Sequence, residues 1–328
     1  MAQVVIAGRI HPAGMAILEA EPGLGIDAIT DPGAALPPEK LAAADALLIR
    51  YGALTEEQAA AMPNLKVVSR HGVGCDNLPV AALAARGVPV TIVGPVNAVS
   101  VAEQVMAMLM ALIKRIVPYD AAVRKGNWAI RDSLAVGELS GRRLMLLGFG
   151  RIGREVARRA AAFDMQVLVH DPFVGEDAIR AAGYAPVGDW RAALPDVDAI
   201  SLHLPATAET RGLIGAAELE RMKPTAILLN AARGGLVDEE ALHRALAGRM
   251  AQGGAGIDCF GTEPPDPGLP LLGMQNVVLS PHSAALSHEA ARRMAEVAAR
   301  NVIAGLNGTL DPALVFNLDA LRKAGHVL

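Results

Sequence analysis

The sequence predicts an α/β protein built as two doubly wound parallel-sheet domains, and three observations carry that prediction. Short apolar runs bounded by turn residues alternate with alanine-rich helical stretches along nearly the whole chain. One of those runs, Leu144 to Leu147, opens into glycines at positions 148, 150 and 153. At 328 residues, the chain also exceeds what a single hydrophobic core usually serves.

The composition fits an aliphatic, well-packed α/β core, with 52% hydrophobic, 20% charged and only 3% aromatic residues. Thirty basic against 34 acidic side chains leave a formal charge of −4, and no block of like charge occurs. That argues against nucleic acid or an anionic membrane as the main partner. The two cysteines, Cys75 and Cys259, lie far apart with no second pair nearby. Neither a disulfide framework nor a zinc site is indicated, no metal is expected, and both read as small packing residues. The chain begins at once with a strand at residues 3–7, without a basic, long-apolar or cleavage region, so the expectation is cytoplasmic. The most apolar stretch, residues 99–117, carries Glu103, Gln104, Lys114 and Arg115, and fits a buried helix better than a membrane span.

In order along the chain, strands are predicted at residues 4–7, 46–49, 67–69 and 89–92, with a weaker candidate at 26–29. Asn97 is a good N-cap, and Ser100 with Glu103 has capping-box spacing, so a long helix should start there and cross between domains. Residues 126–139 hold Trp128, mixed charges and no clean period. They read equally well as an arm lying on a partner subunit or as a surface loop.

Residues 143–171 follow as one βαβ unit suited to a dinucleotide. In a G-x-G-x-x-G pattern, Gly148 permits the tight turn and Gly150 lets the backbone approach a pyrophosphate. Gly153 lets the next helix pack closely on the strand. The helix predicted from Arg151 to about Phe163 points its free N–H groups at the anion. A second strand at 167–170 ends at Asp171, whose carboxylate can accept from the ribose hydroxyls. Pro172, Phe173 and Val174 supply no arginine for a 2′-phosphate, so NAD is favoured over NADP. Beyond it, strands are suggested at 199–203, 226–230, 254–259 and 277–279, with helices notably at 238–249 and 287–306; residues 311–328 would complete the first domain.

Ligands of doubly wound sheets bind outside the carboxyl ends of the strands, which directs attention to His203, Arg233, Asp258, Glu263 and His282. Moving a hydride between NAD and a carbon bearing a hydroxyl requires a base, a cation for the substrate carboxylate or carbonyl, and an acid to tune the base. Histidine suits the base. His203 lies inside an apolar strand and could be a core residue, whereas His282 follows a strand end and precedes the small Ser283, Ala284 and Ala285, so His282 is preferred. Arg233, before Gly234 and Gly235, can bind a carboxylate with two prongs or can be a surface arginine. Glu263, ahead of two prolines, is either the partner of the histidine or a solvated loop acid. In the first domain, residues 70–76 form either an anion nest or a simple tight turn, and Arg50 is a further candidate anion contact.

Together the segments RHGVGCDN, NAVSVAEQ, GNW with the later GELSG, LLGFGRIGREVA with HDP, HLPATAET, LLNAARGGLVDEEAL, GIDCFGTEPP and SPHSAA resemble the D-isomer-specific 2-hydroxyacid dehydrogenase family. The 3-phosphoglycerate dehydrogenase and hydroxypyruvate reductase branch is the most similar. The resemblance implies a flavodoxin-like substrate domain, 1–96 plus 307–328, and a Rossmann NAD-binding domain, 97–306, with crossover helices. It also implies a cleft that closes on the ligands, and a homodimer formed largely through the cofactor domains.

By position, it makes Arg233, Glu263 and His282 the catalytic residues, and Val73 and Gly74 the amides that meet the substrate carboxylate, with Arg50 beside them. Arg151, Ile152, Asp171, Pro205, Ala231, Ala232 and Asp258 fall at NAD-contacting positions. Ser283-Ala284-Ala285 after the histidine, Val73 in the loop, and Tyr51-Gly52 after Arg50 depart from the phosphoglycerate branch and weaken the case for that substrate. No regulatory extension is expected after the core. The expected activity is hydride transfer between NAD and a small D-2-hydroxy acid or its 2-keto partner. The alternative is an NAD(H)-sensing binding protein or corepressor on the same fold.

Overall fold

In the computed structural model, residues 2–31 and 36–327 are described; Met1 and Leu328, the outer ends of the expected first domain, lie outside them. Internal contacts divide the chain into residues 1–97 with 286–328, and residues 98–285.

The first unit holds a five-stranded sheet, β1 (Ala2–Ala7), β2 (Leu24–Ile29), β3 (Ala46–Ile49), β4 (Val67–Arg70) and β5 (Val90–Thr91), in the order β2-β1-β3-β4-β5. Every pairing is parallel. This is the flavodoxin-like order, and β3 shows why: all four of its residues are buried, as a strand covered on both faces requires. The weak candidate at 26–29 is a full strand paired along β1.

The helix His288–Asn307 packs within this unit, whereas the sequence assigned residues up to 306 to the second domain. Close seating explains the difference. A Cβ on Gly14 would meet the Ala295 carbonyl at 2.6 Å, and one on Gly305 would meet Val67 at 2.5 Å. The Ser69 hydroxyl donates to the Ala298 carbonyl at 2.9 Å. An amphipathic period marks which face is buried, but not which sheet buries it.

The second unit holds seven parallel strands, β6 (Arg143–Leu147), β7 (Gln166–His170), β8 (Ala185–Pro186), β9 (Ala199–Leu202), β10 (Ile227–Asn230), β11 (Gly254–Ile257) and β12 (Val277–Leu279). Their order is β12-β11-β10-β9-β6-β7-β8. Chain direction across the sheet reverses between β6 and β9, the switch point where a doubly wound fold opens a crevice. The short β8 was not anticipated, since two residues carry no readable period.

The helix Ala98–Ile113 lies against β10, β11 and β12 and against the helix Arg151–Ala162. It reaches β11 because that strand is GAGI: a Cβ on Gly254 would meet Leu112 at 2.8 Å, and one on Gly256 would meet Met108 at 2.9 Å. Ser100 sits inside this helix rather than at its cap, with its hydroxyl donating to the Ala284 carbonyl at 2.7 Å. Glu103 pairs with Arg159 at 3.2 Å instead of closing a capping box. Tertiary partners therefore override a local signal that spacing alone suggested. Among the described residues, no helix is long and apolar enough to cross a membrane.

Candidate active site

The carboxyl ends of the second sheet gather most of the residues singled out from sequence. Gly148 follows β6 with φ +101, a left-handed conformation that favours glycine, and a Cβ there would strike the His203 carbonyl at 2.3 Å. A Cβ on Gly153 would strike the Gly148 carbonyl at 2.3 Å, whereas Gly150 faces open space. The helix Arg151–Ala162 begins at Gly150 with no side-chain cap, so its first N–H groups remain available to an anion. A tight turn, an open glycine and an uncapped helix start together fit a pyrophosphate. Arg151 is exposed and Ile152 half-buried at this start.

Asp171, just after β7, accepts from the Phe149 N–H at 2.7 Å and from the Phe173 N–H at 2.8 Å. The acid thereby ties the end of β7 to the glycine turn. Pro205 follows β9, and Ala231 and Ala232 follow β10, all on the same edge.

His203 lies half-buried against the glycine turn. Its Nε2 pairs with Ser201 Oγ at 2.9 Å, and its backbone N–H donates to the Leu147 carbonyl at 2.7 Å. Burial pushes its pKa down to about 4. It is a packing histidine, as its apolar flanks allowed.

His282 sits past β12 in the left-handed region, with φ +50, and its Nδ1 lies 2.7 Å from Glu263 Oε2. The other carboxylate oxygen, Oε1, accepts from the Phe260 N–H at 2.9 Å. Burial works to raise the Glu263 pKa, but the bonds from His282 and Phe260 and the charges of His282 and Arg233 outweigh it and hold the carboxyl below its usual value. Glu263 is therefore a carboxylate across the neutral range.

The Arg233 loop lies against the loop after β11, near enough for the guanidinium charge to act on Glu263. A Cβ on Gly234 would fall 1.7 Å from the Phe260 carbonyl, an approach only glycine permits. Asn230 at the end of β10 holds the turn, donating to the Arg233 carbonyl at 2.9 Å and accepting from the Ala232 N–H at 3.2 Å.

Two residues take positions that sequence reasoning did not foresee. The Asp258 side chain is fully buried and engaged by the histidine loop. Oδ1 accepts from the Ser283 N–H at 2.9 Å and from the Ser280 hydroxyl, and Oδ2 accepts from the Ala284 N–H at 3.1 Å. The Asp258 carbonyl takes the His282 N–H at 2.8 Å. An acid ending an apolar strand was the available signal, but its partners lie 22 to 26 positions later in the chain. Cys259, read as a packing residue, is buried, yet its thiol lies beside the catalytic candidates. Donor atoms of Cys259, Glu263 and His282 all fall within 4.8 Å of one another. Burial pushes the thiol pKa up, the charges of Asp258 and Glu263 add to that, and Arg233 opposes it.

In the first unit, Arg70 braces the loop after β4. Its Nε donates to the Gly74 carbonyl at 2.9 Å, and its Nη1 to the Arg50 carbonyl at 2.6 Å. The Val73 and Gly74 amides have no hydrogen-bond partner among the described residues, as an anion nest requires. Arg50 donates to the Arg9 carbonyl and lies over the Tyr51 ring, 4.6 Å from its centroid. His71 is 5% exposed, and neither ring nitrogen has a partner among the described residues. Burial and the nearby Arg50 push its pKa down to about 4.

The chain is similar to proteins of one known family. Residues 106–284 match the NAD binding domain of D-isomer specific 2-hydroxyacid dehydrogenases. A glyoxylate reductase of Korarchaeum cryptofilum is 43% identical over 261 residues, covering 78% of this chain and 77% of that protein. A D-3-phosphoglycerate dehydrogenase of Archaeoglobus fulgidus is 40% identical over 244 residues, which cover 74% of this chain but only 46% of the relative. The match therefore spans about half the length of that dehydrogenase. Among solved structures, a protein from Thermus thermophilus superposes with a TM-score of 0.85 at 35% identity, covering 94% of this chain and 98% of that one.

Proposed function

The chain belongs to the D-isomer specific 2-hydroxyacid dehydrogenase family of NAD-dependent oxidoreductases, and we propose that Arg233, Glu263 and His282 carry its chemistry on a small 2-keto acid or its D-2-hydroxy partner. The observation that carries this assignment is the 2.7 Å pairing of His282 Nδ1 with Glu263. A bound NAD would supply hydride donor or acceptor chemistry at the substrate's C2. The glycine turn at Gly148, Gly150 and Gly153 and the uncapped helix start at Arg151 and Ile152 would hold its pyrophosphate. Asp171 would accept from its ribose hydroxyls, and the negative charge would disfavour a 2′-phosphate. Pro205, Ala231 and Ala232 would line the remainder of the cofactor's path, and Asp258, fully buried, would act on it through the histidine loop that it braces.

Glu263 holds the Nδ1 proton of His282 and fixes the ring, which leaves Nε2 to exchange a proton with the substrate oxygen at C2. Arg233 binds the carboxylate or carbonyl through its planar fork. In this reading the Val73 and Gly74 amides take the substrate carboxylate, with Arg50 as a contact further out. The names of the relatives extend the substrate candidates to glyoxylate and to a phosphorylated acid. Tyr51 packed against Arg50 favours the smaller, unphosphorylated class. Nothing in the comparisons supports the sensor alternative.

A cytoplasmic homodimer completes the reading. Residues Ile116, Val117, Val123, Trp128, Leu134 and Val136 expose apolar surface along one stretch of the second unit. A cavity of about 600 Å³ opens there between Leu112, Val117, Leu134 and Val136. This favours the arm over the plain surface loop for residues 126–139; light scattering that returned a monomer mass would exclude it.

The test of function is NADH oxidation against glyoxylate, hydroxypyruvate, pyruvate, branched 2-keto acids and phosphohydroxypyruvate. Turnover that falls roughly 10²- to 10⁴-fold in His282→Ala supports the assignment. Tight NADH binding without turnover of any acid would refute it.

A further inference from the structure

We propose that Cys259, Glu263 and His282 form a binding site for a thiophilic divalent cation of the zinc class, and that its occupancy switches off the acid–base pair. The inhibitory half of this proposal rests on the catalytic reading of His282 and Glu263; the binding half does not.

Three donor types that zinc accepts converge here: a thiol sulfur, a carboxylate oxygen and an imidazole nitrogen, all within 4.8 Å of one another. Bond lengths of about 2.3 Å to sulfur and about 2.0 to 2.2 Å to nitrogen or oxygen place ligands of a tetrahedral ion roughly 3.2 to 3.7 Å apart. The widest separation, at most 4.8 Å, therefore needs to close by about an ångström. His282 Nδ1 and Glu263 Oε2, at 2.7 Å, need to open by about half an ångström as the ion replaces the proton between them.

The backbone around the site is held in place. Phe260 N–H fixes Glu263 through its second oxygen, and Asp258 anchors the loop on both sides of His282. Cys259 lies directly between those two anchors in sequence, buried, while Glu263 and His282 are exposed. The ion would thus have a protein floor and an open side, the three-ligand arrangement that leaves a position for water.

The binding step balances as ligand exchange. The Zn–S, Zn–N and Zn–O bonds replace three bonds from the hydrated ion to water; the thiol proton leaves to solvent, the proton that Nδ1 shared with Glu263 is relocated through solvent to Nε2 so that the imidazole stays neutral, and no electrons are transferred. Glu263 trades that proton for the metal. His282 then has its ring fixed on the cation and Glu263 no longer orients it, so proton exchange with substrate stops. The Arg233 guanidinium acts on both Cys259 and Glu263 and opposes part of the attraction for a dication, which suits a reversible inhibitory site rather than a permanently loaded one.

The experiment titrates the purified full chain with Cd²⁺, reading thiolate-to-metal charge-transfer absorption, and with Zn²⁺, reading NADH oxidation with glyoxylate. Stoichiometric absorption, and inhibition reversed by EDTA, are expected. Cys259→Ser should keep its turnover, lose the Cd²⁺ band and raise the half-inhibitory Zn²⁺ concentration at least about tenfold. Cys259→Ala provides the same comparison if the serine variant folds poorly, and Cys75→Ser should retain the band. No band at stoichiometric Cd²⁺, or Zn²⁺ inhibition equal in wild type and Cys259→Ser, would overturn the site. A Cys259-dependent band in a protein that turns over no keto acid supports the metal site and counts against the catalytic reading alone.

Discussion

Asp258→Asn is the substitution that most directly tests how the site is held together. Asp258 is fully buried, and three donors converge on it: the Ser280 hydroxyl and the Ser283 N–H on Oδ1, and the Ala284 N–H on Oδ2. An asparagine keeps one acceptor oxygen and turns the other into an NH₂ that faces a backbone N–H. If the oxygen stays with the two serines, the Ala284 N–H is stranded in a buried position, at about 1 to 3 kcal/mol. The two surviving bonds lose their charge assistance, at about 1 kcal/mol each. Relief of the buried carboxylate's desolvation offsets part of this. The net expectation is a loss of about 1 to 3 kcal/mol in urea unfolding. Because the same loop carries His282 at φ +50, loosening it should displace the imidazole, and a shift of about 1 Å is enough for a loss on the order of 10²-fold in kcat. NADH fluorescence titration separates this bracing role from a direct cofactor contact: bracing leaves the affinity largely unchanged, whereas a lost contact weakens it. A variant with an unchanged urea midpoint and kcat within about twofold of wild type would show that the hydrogen bonds to Asp258 do not position His282.

Gly234→Ala places a Cβ 1.7 Å from the Phe260 carbonyl, so the two loops must separate; a stability loss of about 1 to 3 kcal/mol and a raised KM for the keto acid are expected from urea unfolding and steady-state kinetics. Arg233→Lys retains the charge but not the two-pronged fork, so kcat/KM should fall by at least about tenfold, roughly the value of one charge-assisted bond, while NADH binding stays intact. Stability should also depend on acid through His71, whose pKa burial lowers from 6.5 to about 4. Between those values the unfolded chain binds a proton that the folded one does not, so stability is full above pH 6.5 and falls toward pH 4, by up to about 3 kcal/mol. His71→Leu should flatten urea midpoints over that range, and an unchanged slope would show that the ring does not titrate as its burial requires.

Strand positions, the glycine turn and the catalytic candidates were legible in the sequence because each depends on local chemistry. β3 occurs at the positions its apolar run indicates, since a strand buried on both faces announces itself by composition alone. Gly148 and Gly153 mark backbone approaches that only glycine allows, and Gly150 between them leaves open space, so the turn and the helix after it could be read directly. The preference for His282 over His203 was visible in their sequence neighbours, but the partners of the two rings were not. Only the folded chain sets Ser201 against one ring and Glu263 against the other.

What the tertiary structure alone decided is how residues distant in sequence meet. The helix His288–Asn307 carries an apolar face that would suit either sheet, and its assignment to the first unit rests on small-residue contacts at Gly14 and Gly305 that no period records. Asp258 became the anchor of the histidine loop, and Cys259 a neighbour of the His282–Glu263 pair, because β11 and β12 lie side by side and bring positions 258 and 284 together. Sequence spacing reports the conformation of one segment at a time. The chemistry of this site depends on hydrogen bonds and donor clusters between segments, whose geometry exists only once the sheet has formed.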